Sequence, residues 1–295
     1  MKERHSIQKA IYILTPLLLY FVVHDAMRIL LTAGLGGLAQ MGDGFAHLMQ
    51  TYPGTIGGIV SLLAMLTGGI VVLWLWKKMP KTSVGREQEK AAQSEKAVQS
   101  ERPGQIAQSG HDRKTRLLDW SLLLLHGICL AAALNYLIAA AGLSEYSAVF
   151  GQVKERQYSV WLPVGILLYG IVSPLVEEGL FRGLLYRRMR TTFSRTLCIP
   201  ISALFFGIYH QNLVQGVYGT LMGLMLAFAL ELYGTLWAPI LYHAAANLFV
   251  YLYGTYGGGE VEWPALTGVI WLLLAVILSI IIGKRRDIAS TFCKR

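Results

Sequence analysis

The chain has 295 residues, 54% of them hydrophobic and 15% charged, with a mean hydropathy of +0.48. Soluble globular domains carry about 25% charge, so this composition excludes an ordinary soluble enzyme and points to a polytopic membrane protein. The net charge of +9 comes without the basic and aromatic pattern of a nucleic-acid module, and Cys129, Cys198 and Cys293 are odd in number and far apart, with no spacing that suggests a disulfide framework or a zinc site.

A membrane-spanning helix needs roughly 20 mostly apolar residues. Eight stretches are candidates, at 11–31, 55–76, 117–143, 161–186, 196–211, 216–233, 236–253 and 266–282. The expected fold class is all-α: a membrane helix bundle of about eight spans. The first stretch follows Lys2, Arg4 and Lys9, as a signal peptide would, but lacks a clean small-residue cleavage site. A retained helix is therefore expected. Near its end Asp25 and Arg28 stand three apart and are expected to pair, with His24 in reach. The second span carries Gly54, Gly57, Gly58, Gly68 and Gly69, small residues that let membrane helices approach closely.

Residues 77–116 are rich in Gln, Ser, Glu and Lys, and contain an imperfect repeat beginning at Ala92 and Val98. Such a composition buries too little apolar surface to fold alone. It reads as a flexible cytoplasmic linker between two front helices (1–76) and a six-helix membrane domain (117–283), followed by a basic tail (284–295). The terminal Cys293-Lys294-Arg295 has two residues after the cysteine, not the three of a prenylation box. With the N-terminus cytoplasmic, the linker, Arg187, Arg188, Arg190, Arg195 and Lys284 to Arg286 all fall inside. Lys154 and Arg156 are the clear basic residues outside. Both termini are therefore expected in the cytoplasm.

Ionisable residues at membrane depth are costly and mark function or a partnered site. In the fourth span Glu177 and Glu178 are adjacent, and Arg182 lies four beyond Glu178 on the same helical face. Glu177 points about 100° away. Pro174 frees backbone groups one turn earlier. The fifth span carries Phe206 and His210, and the seventh carries His243 and Asn247 on one face with three alanines between. At 1.5 Å rise per residue, Glu177, His210 and His243 lie about 15, 20 and 12 Å from the cytoplasmic ends of their helices, so the three can meet near mid-membrane. The structural alternatives are an interfacial ion network for the glutamates and helix–helix hydrogen bonds for the histidines and Asn247. His126 and Asn135 are expected to bond to neighbours, and Glu231 to sit at the cytoplasmic interface.

The ordered set Glu177-Glu178 with Arg182, then Phe206 with His210, then His243 with Asn247, resembles the CPBP family. That family comprises the type II CAAX prenyl endopeptidases and related bacterial membrane proteins, some linked to bacteriocin processing or self-immunity. The likeness covers residues 161–253 and includes Phe181-Arg182-Gly183 and Trp237-Ala238-Pro239. It implies an intramembrane endopeptidase acting on a membrane-associated protein or peptide, in a bacterial plasma membrane. Peptide hydrolysis needs an activated water, an oxyanion stabiliser and a proton for the leaving amine. Glu177 is the expected base and His210 the residue that positions the water. Glu178 with Arg182 supports the site, while His243 and Asn247 donate to the oxyanion. A divalent metal such as zinc, held by Glu177, His210 and His243, is the alternative chemistry, although no His-Glu-x-x-His motif is present. Two other functions fit the same residues: a non-catalytic immunity or binding protein, or a proton-coupled transporter, although no internal repeat of the carrier kind is seen.

Overall fold

A computed structural model of the chain describes residues 2–79, 106–143, 147–257 and 261–293. These residues contain no strand. The helices, in chain order, are α1 (Lys2–Met41), α2 (Asp43–Thr51), α3 (Pro53–Lys77), α4 (Ile106–Ala140), α5 (Ala148–Tyr158), α6 (Leu162–Met189), α7 (Arg195–Tyr209), α8 (Leu213–Tyr233), α9 (Trp237–Tyr256) and α10 (Pro264–Cys293). The all-α polytopic bundle stands.

Among the described residues six helices are long and apolar enough by length and composition to cross a membrane, α1, α3, α4, α6, α8 and α10; α7 and α9 are the other two of the eight stretches read from the sequence. At 15 residues, α7 rises only about 22 Å against a hydrocarbon core of about 30 Å. Helix α9 is 20 residues long, but His243 and Asn247 dilute its hydropathy. Helices α2 and α5 are short extra elements between spans. The proposed linker lies largely outside the described residues; its end does not, since α4 begins at Ile106. Residues 284–293 continue α10.

Helix α6 is the centre of the bundle. It packs against α1, α3, α7 and α9, and 67% of its apolar stretch is buried, against 22% in α1 and in α10. It is not a uniform α-helix: Ile166–Val172 and Gly179–Tyr186 are π-helical, and flank the α-helical turn Ser173–Glu178. Pro174 is at the start of that turn, where its missing N–H matters least. Four of the five glycines noted in the second span face a neighbour closely: Gly54 meets Ser159, Gly58 meets Val160, Gly68 meets Tyr20 and Gly69 meets Val176, while Gly57 faces open space. The front helices therefore pack directly on α6.

The basic residues gather at one end. Arg188 donates to the Tyr12 carbonyl, the Arg187 guanidinium lies 5.0 Å from the Trp76 ring, and Lys78 sits 3.7 Å over Trp74. Arg195 and Arg190 reach Glu231 at 2.8 and 3.6 Å. Arg285 bonds Asp119 at 2.7 Å and Arg286 lies 3.8 Å over Tyr233. These contacts join the ends of α3, α6, α8 and the membrane part of α10 to the starts of α7 and of the apolar parts of α1 and α4. Glu231 is thus an interfacial acid held by arginines.

Candidate active site

The acid pair sits on the α-helical turn of α6. Glu178 and Arg182 have no solvent exposure, and Glu177 is 5% exposed. Arg182 Nη1 donates to Glu178 Oε1 at 3.1 Å, as the i,i+4 spacing predicts. Its Nη2 donates to the Gly223 carbonyl on α8 at 2.8 Å. A Cβ at Gly223 would stand 3.0 Å from Ala203 Cα and 3.2 Å from Arg182 Nη2, so only glycine gives the guanidinium that approach. The Arg182 guanidinium also lies 4.6 Å from the Phe206 ring centre. A buried charge is tolerated when paired and hydrogen-bonded; Glu178 and Arg182 are paired through Oε1 and Nη1, while Glu178 Oε2 and Arg182 Nε have no hydrogen-bond partner among the described residues.

Glu177 turns to different partners. Ser173 Oγ, one turn back, donates to Oε1 at 2.7 Å. Oε2 lies 3.9 Å from Nε2 of His243, while Nδ1 of the same ring is 2.9 Å from Glu178 Oε1. His243 therefore stands between the two carboxylates. An ionised carboxylate only accepts, so Nδ1 carries the proton in that bond, and Nε2 of the neutral ring faces Glu177 with a lone pair. The gap of 3.9 Å is too long for a direct hydrogen bond. A water about 2.8 Å from each atom would fit, with a subtended angle of roughly 90°.

His210 ends α7. Its Nδ1 donates to the Phe206 carbonyl at 2.9 Å, which likewise leaves Nε2 as the acceptor of the neutral ring. Because α7 is short, the turn after it falls within membrane depth, where irregular backbone survives only inside protein or beside a cavity. Gln211 there has a left-handed φ of 57°. Asn212 stitches the turn: it accepts from Gln215 N at 2.9 Å to cap α8 and donates to the His210 carbonyl at 3.1 Å. Gly219 lets α8 pass close to the His210 ring. The Phe206 ring meets both imidazoles edge-on, at 5.1 Å from His210 and 5.6 Å from His243.

Glu177, His210, His243 and Asn247 all line one cavity of about 910 Å³. Glu178 and Arg182 lie behind it. Among the described residues no three His, Cys, Asp or Glu side chains converge as a metal-ligand set. Other expectations find their partners: His24 and Arg28 lie 3.0 and 3.7 Å from Asp25, His126 bonds both Tyr242 and Ser279 at 2.8 Å, and Asn135 donates to the Ala131 carbonyl. The sequence reading missed Ser173, legible as the hydroxyl four before Glu177. It also missed Asn212, whose capping role follows from its place before α8. Tyr209, against Tyr20 at 3.4 Å, has no sequence signal.

Comparison with known proteins gives one family match and one curated relative. The family described as type II CAAX prenyl endopeptidase Rce1-like matches residues 159–249, which contain every residue of the constellation. A protein of Bacillus subtilis (strain 168) named "Putative membrane peptidase YdiL" is 31% identical over 117 residues, covering 37% of this chain and 48% of the relative. The chain thus spans about half the length of the curated relative it matches. No solved structure matches. The motif residues of this multi-pass membrane chain thus converge on one cavity inside the segment that is similar to the Rce1-like type II CAAX prenyl endopeptidases.

Proposed function

We propose that the protein is an intramembrane endopeptidase that hydrolyses a peptide bond of a membrane-associated protein or peptide with a water activated by Glu177. The observation that carries this reading is the placement of His243 between the carboxylates, 2.9 Å from Glu178 and 3.9 Å from Glu177. Nucleophile and base need mutual hydrogen-bond reach, with the base oriented by a further group.

Water bound between Glu177 Oε2 and His243 Nε2 gives a proton to Glu177, and its oxygen attacks the peptide carbonyl carbon. The carbonyl π electrons move to oxygen. Asn247, half-buried on the cavity wall, donates to that oxyanion. The tetrahedral centre then collapses, the C–N bond breaks, and Glu177 returns its proton to the leaving nitrogen. His210 lines the same cavity and positions the water as part of its wall, since both water protons are directed to Glu177 Oε2 and His243 Nε2. His243 is the orienting partner of Glu177 in this scheme rather than the oxyanion donor, because its Nδ1–H is already committed to Glu178. Arg182 keeps Glu178 charged and in place for that task.

The N- and C-termini face the cytoplasm of a bacterial plasma membrane, on the strength of the basic end of the bundle. Purified wild type and Glu177→Gln, tested side by side on a membrane-peptide library by mass spectrometry, decide the matter. Cleavage by wild type alone is expected. Equal silence of both proteins sinks the enzyme reading.

A further inference from the structure

The cavity does not open at the basic end. Its outer lining comes from the far part of α1, the start of α3, all along α5 and the α7–α8 turn. No arginine or lysine of the basic end lines it. At the opposite end basic residues are scarce, yet Arg28, Lys154 and Arg156 all stand on the cavity lining. Arg28 shares Asp25 with His24. Lys154 and Arg156 are exposed and make no ion pair among the described residues. The remaining acid and imidazole groups of the lining are Glu177, His210 and His243; Glu155, exposed between Lys154 and Arg156, is not on it. The rim therefore carries three cations against one acid.

The rim is also remote from the reacting groups. Tyr20, on α1, meets Tyr209, which precedes His210. Arg28 is eight residues further along α1, or about 12 Å. A charge held there is not the scissile group. The wall between mixes apolar side chains such as Leu168, Met222 and Val250 with hydrogen-bonding ones, Asn135, Tyr158, Tyr169 and Tyr218, so a peptide backbone entering it finds partners.

The geometry points to a carboxylate-binding rim: Arg28, Lys154 and Arg156 hold a carboxylate of a peptide that enters from the face opposite the basic one and runs down the cavity to Glu177. This rests on the peptidase reading for what happens at Glu177, but not for binding. The charge rule puts the mouth on the extracytoplasmic side. The carboxylate is either a side chain or a chain terminus.

Two measurements test it independently of catalysis. Fluorescein-labelled nonapeptides are bound to the Glu177→Gln protein in detergent. One set carries Asp or Glu at successive positions, a second has Asn or Gln there, and each is made as free acid and as C-terminal amide. Roughly three- to tenfold tighter binding of the acidic set is expected, lost in Lys154→Glu/Arg156→Glu and at high salt. Loss on amidation alone assigns the terminus; loss on Asp→Asn or Glu→Gln alone assigns a side chain. Equal binding of acidic and neutral peptides overturns the rim. For sidedness, Lys154→Cys in a Cys293→Ser background is exposed to a membrane-impermeant maleimide in intact cells; Cys129 and Cys198 are buried. Labelling equal to that of permeabilised cells is expected, and labelling only after permeabilisation overturns the entry side. Binding without cleavage by wild type would fail the peptidase reading and leave the rim standing.

Discussion

Nδ1 of His243 lies 2.9 Å from Oε1 of Glu178, a bond between α9 and α6 across 65 positions of sequence. Arg182 shares that same oxygen. One carboxylate oxygen thus anchors a cation on its own helix and an imidazole on another.

The two glutamates should separate by experiment. Glu178→Gln leaves the Arg182 charge buried without its counter-ion and should destabilise the protein by about 3–5 kcal/mol, read as a lower thermal midpoint in detergent. Glu178→Gln/Arg182→Met should recover much of that loss without restoring activity. Glu177→Gln keeps an oxygen for Ser173, so its midpoint should stay near wild type while activity falls by about 10²–10⁴.

His243→Gln should lower kcat by about 10²–10⁴ with KM little changed, because the ring orients Glu177 rather than binding substrate. Peptide cleavage kinetics on purified protein read both constants. A loss confined to KM would remove His243 from the reaction.

Gln211 pays for its left-handed φ of 57° at the α7–α8 turn. Gln211→Gly should raise stability by up to about 1 kcal/mol, and Gln211→Val should lower it by about 1–3 kcal/mol. Thermal unfolding of the two variants should bracket wild type.

Gly223→Ala forces a Cβ to 3.0 Å from Ala203 Cα and against Arg182. Destabilisation of about 1–3 kcal/mol is expected, together with loss of activity as the guanidinium is displaced. Gly216→Ala meets its nearest atom at 3.6 Å and should be silent in both measurements.

Much of the site was legible because ionisable residues stand out against apolar sequence. The pairs Glu178–Arg182 and Asp25–Arg28 follow from helical spacing alone. What spacing cannot supply is the meeting of helices: the bond from His243 to Glu178 and the Arg182 contact at Gly223 depend on how α6, α8 and α9 pack. Two of the eight stretches fall short of a simple span because α9 is lined with polar site residues and α7 has only 15 residues. Helices α2 and α5 are short and weakly patterned. Nothing in the side chains of 166–172 or 179–186 announces π geometry.

Those π segments make chain length part of the site. A π turn holds one more residue than the α turn it replaces. Removing a single residue between Ile166 and Val172 would let that segment relax to α-helix with the flanking turns nearly in register, because the α turn completes the same rotation with one residue fewer. Adding a residue there, with no wider turn to absorb it, would rotate what precedes it by about 100° relative to the acid pair, and the contacts of Gly165 and Gly170 with α9 would be lost while Glu178 still faced Arg182. A one-residue insertion that touches no catalytic group should therefore be as damaging as replacing one, and a one-residue deletion should be far milder.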